Sequence, residues 1–132
     1  MADRQHRSVK PELRRLHSPD LLDMQASRPE DPRDFCILVQ AMIGPKGEQG
    51  EESFDITVCT PRWLEQSLTN GRALFGLHYL FIDHYDYEWI RGAIARICNS
   101  ISGASWRDVA KQLDKYGEWE FENYQERLPT SD

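Results

Sequence analysis

Phe35-Cys36-Ile37-Leu38-Val39-Gln40-Ala41-Met42-Ile43 is the most apolar run of the chain, and its pairing with the next strand decides the fold. Its β-branched residues, bounded by Asp34 and by Gly44-Pro45, predict a central strand covered on both faces. Gly44-Pro45-Lys46-Gly47-Glu48-Gln49-Gly50 then places glycine at every third position. So short a repeat cannot build a collagen helix, and the segment reads as a flexible hairpin connection. Beyond it Phe54, Ile56 and Val58 alternate with Asp55, Thr57 and Cys59, the period of a half-buried strand that turns Asp55 outward. Two strands joined by a short connection imply an antiparallel pair.

Toward the N-terminus, residues 9–17 read as an edge strand, because Pro11 lacks the amide that an interior strand would need. Ser18-Pro19-Asp20 breaks it, and residues 21–33, with Pro29 and Pro32, read as a loop. Toward the C-terminus, Thr60-Pro61-Arg62-Trp63 has the chemistry of a helix start, running to about Leu68 and stopping at Asn70-Gly71. Residues 77–83 are β in composition and predict a third strand with His78, Leu80 and Ile82 on one face. Ile90, Ile94, Ile97, Cys98 and Ile101 form one helical stripe, with Asp86 as its cap and Gly103 beyond its end. Ser105-Trp106-Arg107-Asp108 opens a last helix with Val109, Ala110 and Leu113 inward, and Trp119 with Phe121 indicates a short final strand. Trp63, Trp106 and Trp119 are expected in the core. The predicted class is α+β: a mainly antiparallel sheet of four to five strands with about three helices packed on one face. The domain occupies residues 9–126, between a disordered basic arm (1–8) and a flexible tail (127–132).

With 132 residues one core suffices, and no apolar stretch approaches the length of a membrane span. Met1-Ala2-Asp3-Arg4-Gln5-His6-Arg7 has no apolar run behind its charges, so no secretory signal is read and a cytoplasmic address is expected. Past Pro19 the chain carries eleven basic and twenty acidic residues, a formal charge of −9. That sign repels phosphate backbones and disfavours direct nucleic-acid binding, while favouring a cationic protein partner.

Catalytic and metal motifs are not found. No glycine-flanked serine forms a nucleophile elbow, and no glycine loop ends in Lys-Ser or Lys-Thr. Cys36, Cys59 and Cys98 are widely spaced in apolar segments and read as buried thiols rather than zinc ligands or disulfides. No cofactor and no metal are expected. Asp83-His84-Tyr85-Asp86-Tyr87-Glu88-Trp89 is the densest polar cluster, and the one place for a general base. Adjacent strand residues point to opposite faces, however, so Asp83 and His84 are expected to diverge. Trp89 falls to one side of the isoleucine stripe and is the candidate surface aromatic, the composition of a binding hot spot. The remaining acid forms three groups: Glu48, Glu51, Glu52 and Asp55; Asp83, Asp86 and Glu88; and Glu118, Glu120 and Glu122. Two groups that adjoin in the fold would make a negative face able to steer a cationic partner. The partner-binding candidates are Glu48, Glu51, Glu52, Asp55, Asp83, Asp86, Glu88 and Trp89.

Leu16-His17-Ser18-Pro19-Asp20, Gln40-Ala41-Met42-Ile43-Gly44-Pro45, Gly50-Glu51-Glu52-Ser53-Phe54-Asp55, Val58-Cys59-Thr60-Pro61-Arg62-Trp63-Leu64 and Gly117-Glu118-Trp119-Glu120-Phe121-Glu122 occur in that order. Together they resemble the immunity protein 8 family of bacterial polymorphic toxin systems, over Pro11 to Gln125. The resemblance implies a non-enzymatic cytoplasmic antidote that binds and blocks a cognate toxin domain delivered by secretion or contact. Many such toxins are nucleases with cationic clefts, which an acidic surface can occupy. Two other readings are a small hydrolase using Asp83, His84 and Asp86, and an adaptor domain without a toxin.

Overall fold

A computed structural model describes residues 8–120. Among them β1 (Pro11–His17), β2 (Cys36–Pro45), β3 (Glu52–Cys59), β4 (Tyr79–Phe81) and β5 (Glu118–Trp119) form one sheet. Three helices accompany it: α1 (Pro61–Ser67), α2 (Tyr87–Asn99) and α3 (Trp106–Leu113). The expected arm up to residue 7, the tail at 127–132 and Phe121 lie outside the described residues.

β2 and β3 pair antiparallel without interruption from Cys36↔Cys59 to Ile43↔Glu52. Alternation buries Ile37, Val39, Ala41 and Ile43 of β2 and Phe54, Ile56 and Val58 of β3 on one side. On the other side Leu38, Gln40 and Met42 are only half-buried, so β2 is covered on one face and not on both as its composition implied. The glycine connection is tied down rather than free. Arg14 donates to the Pro45 and Glu48 carbonyls at 2.8 Å each, and a Cβ on Gly44 would lie 2.0 Å from the Gly50 carbonyl oxygen.

β1 is the outer strand beside β2 and starts at Pro11, with a bulge between Leu13 and Arg15. β2 occupies one edge of β3 entirely, so β4 and β5 share the other edge: β5 pairs antiparallel with Phe54 and Asp55, and β4 runs parallel to Thr57, Val58 and Cys59. The parallel pairing departs from an all-antiparallel sheet. It follows from the long connection through α1, which brings the chain back alongside Thr57 before β4 begins. β4 is also shorter than the strand expected at 77–83. His78 adopts φ 64°, a left-handed conformation that breaks an extended chain on one side, and Ile82 leaves the ladder after donating to the Cys59 carbonyl at 3.1 Å.

Ile90, Ile94 and Cys98 of α2 and Val109, Ala110 and Leu113 of α3 close over the inward side of the sheet. Trp119 is fully buried there and stacked on Phe54, and Trp106 packs at the margin of the core. Trp63 does not join them, because α1 buries no residue. Cys59 and Cys98 are buried as expected, whereas Cys36 is half-exposed and lies opposite Cys59 across the strands.

Candidate functional site

The side of the sheet away from α2 and α3 carries the outward residues of every strand. Register lines up His17, Gln40, Asp55 and Glu118 across β1, β2, β3 and β5. Two acid groups distant in sequence therefore meet at Asp55 and Glu118. Ser53 donates its hydroxyl to Asp55 Oδ1 at 3.2 Å, yet the Asp55 carboxyl is held above the ordinary carboxylate range, chiefly by burial and further by the Glu118 charge. Glu51 stands at the margin of this face, paired with Arg15, and Glu48 is exposed in the hairpin.

Glu52 has a different task. Its position on β3 turns it inward, where Oε1 accepts the indole N–H of Trp106 at 2.9 Å and of Trp119 at 2.7 Å. The carboxylate thereby joins β3, α3 and β5.

The third group gathers at the start of α2, past the Cys59 end of β3 and about 20 Å of strand from Glu52. Asp86 caps the helix by accepting the Trp89 amide at 3.1 Å. Asp83 and His84 do not diverge as a strand would make them, because both lie beyond β4: His84 Nδ1 is 3.1 Å from Asp83 Oδ2, and Arg33 donates to the same oxygen at 3.2 Å. The hydrogen bond from His84, and then the Arg33 charge, hold the Asp83 carboxyl below the usual range. His84 lies 5.8 Å from the ring of Trp89. Asp83 and Glu88 are exposed, Trp89 is 61% exposed, and among the described residues no group of three potential ligands is arranged around a metal position.

The Immunity protein 8 family model matches residues 11–124, a span holding every strand and helix above. The chain belongs to the immunity protein 8 family. It is thus an immunity protein, and its partner is a toxin. Neither a curated protein nor a solved structure gives a significant match.

One part of this immunity protein's surface escaped the sequence reading. Leu74, Phe75 and Leu77 precede β4 and are exposed, Phe75 to 94%, and Phe81 on β4 is 49% exposed. Their composition reads as strand and core; the interrupting glycines Gly71 and Gly76 were the local sign of a surface loop. Beside them a groove of about 340 Å³ separates β4 from α2, lined by Leu80, Phe81, Glu88, Trp89, Gly92 and Arg96 among others.

Proposed function

We propose that this immunity protein acts in the cytoplasm and neutralises a polymorphic or contact-delivered toxin domain of nuclease type by laying the carboxylate-bearing face of its sheet over a cationic substrate cleft. It works by covering that site and turns over no substrate. The observation that carries the reading is Asp55, a half-buried carboxylate set beside Glu118 on the face that α2 and α3 leave open. A carboxyl raised in the fold is favoured there in its protonated form. Its stabilising contribution is complete below the unfolded value of 3.8 and is lost as pH rises through the folded pKa, so at neutral pH the Asp55 charge works against stability. Such a group fits a binding role better than a structural one. Glu48 and Glu51 extend the patch toward the hairpin, while Asp83, Asp86, Glu88 and Trp89 make a second, separate contact region at the start of α2.

The test is association with the toxin domain encoded beside this chain, inactivated for purification. Asp55→Lys with Glu118→Lys should slow association about tenfold at low salt with little change in dissociation. Asp55→Asn alone should slow it less while raising Tm by roughly 1–2 °C. An unchanged on-rate in the double variant overturns the acidic-face reading. Hydrolytic turnover abolished by His84→Ala would replace it with the enzyme reading.

A further inference from the structure

We infer that the free edge of β4, with the groove between β4 and α2, receives an extended segment of the toxin as an added strand. The inference rests on the toxin-binding reading and names where a second, main-chain contact is made.

β4 bonds to β3 through alternate residues: Thr57 N–H donates to His78 O at 2.8 Å, and Ile82 N–H donates to Cys59 O at 3.1 Å. By that alternation the peptide groups of Tyr79 and Phe81 point away from the sheet. Among the described residues nothing bonds them. An edge of this kind is complementary to another extended backbone and to little else, since only a strand supplies N–H and C=O groups in the same alternation.

The groove bordering this edge specifies the side chains. Its α2 wall runs Trp89, Gly92, Ala93, Arg96, residues that share one helix flank. Trp89 on α2 and Leu80, the β4 residue that shares the inward side with Val58, border the groove from its two walls, where an apolar side chain would be held. Glu88 and Arg96 carry charges at the two ends of the wall, and neither has an ion-pair partner among the described residues. They stand about 12 Å apart along the helix, the length of about four residues of extended chain. Period two then places a cation, an apolar residue and a carboxylate at alternate positions on one face of the incoming strand. The occupant is therefore a toxin segment with a basic residue near Glu88, an apolar residue between Trp89 and Leu80, and an acidic residue near Arg96. Gly92 agrees. Glycine is the poorest helix former after proline, and a Cβ on Gly92 would meet nothing, so the fold itself does not require it. A partner main chain passing close to α2 would.

Amide hydrogen exchange at Tyr79 and Phe81, in the free chain and with the inactivated toxin domain, tests the proposal. Both amides should exchange rapidly when free and at least tenfold more slowly in the complex. Exchange unchanged in the complex overturns it. Protection already present in the free chain also overturns it, by giving the edge to residues 121–132 or, where protection grows with concentration, to a second copy. Gly92→Ala and Gly92→Gln should keep or raise Tm while weakening toxin binding severalfold and at least tenfold respectively. If both bind as the unaltered chain does, while Asp55→Lys with Glu118→Lys still slows association, the groove is excluded and the acidic face stands. If the unaltered chain binds no toxin, both fall.

Discussion

Glu52 and Asp55 sit three positions apart on one strand, face opposite sides of the sheet, and act on stability in opposite directions. Asp55 is ionised at a place where burial and Glu118 disfavour its charge. Glu52 offers a single oxygen on which two indole N–H groups converge. Hydrogen bonds to a charged acceptor contribute more than neutral ones, and Trp119 is buried so completely that water cannot replace a lost acceptor. Glu52→Ala should therefore lower the unfolding free energy by about 3 kcal/mol, and Glu52→Gln by about half as much, since its amide oxygen still accepts. Urea denaturation of the three proteins measures both values. Equal losses would mean that the side chain's packing, and not its oxygen, is what matters.

At the scale of elements, the helix starts are the most local part of the structure. Thr60, Asp86 and Ser105 each accept an amide three residues on, and each cap was legible because hydroxyl or carboxylate chemistry at a helix start needs no distant partner. Thr60 does more than cap α1. Buried at the end of β3, its Oγ1 also accepts the Phe35 amide at 3.1 Å and so finishes the β2–β3 ladder. Thr60→Val preserves shape but leaves two amides without their acceptor, and it should cost about 2 kcal/mol in a denaturation experiment. The hairpin, the β1 edge and the α2 stripe were legible for the same local reason. The extent of β4 was not: Leu77-His78-Tyr79-Leu80-Phe81-Ile82-Asp83 has one composition throughout, whereas its pairing is set by what β3 offers and by the backbone of His78. Nor was the meeting of Asp55 with Glu118, or the two indoles that converge on Glu52, since each depends on segments more than fifty residues away.

For the molecule as a whole, alkaline pH is the informative variable. Burial pushes the Cys59 and Cys98 thiols up to about 11 and the Tyr85 hydroxyl up to about 12, and it raises Cys36 as well. A raised value means that the fold favours the protonated group. The resulting stabilisation is complete below the unfolded values of 9.0 and 10.0, and it is lost as pH rises through the folded ones. Tm should accordingly be steady to about pH 9 and fall between pH 9 and 12. A Cys59→Ala, Cys98→Ala variant should show a shallower decline, and an identical decline would assign the loss to other groups. The thiols are kept protonated at neutral pH, so alkylation of the folded chain should begin at half-exposed Cys36. The shared acceptor of Trp106 and Trp119 has one more consequence, which is spectroscopic. The two indoles are released into water by a single event, so a red shift of their emission reports loss of the fold. Trp89 is wet from the outset, and its emission is expected to move to the blue when a partner covers it. One excitation wavelength thus follows unfolding and complex formation in the same cuvette, by signals of opposite sign.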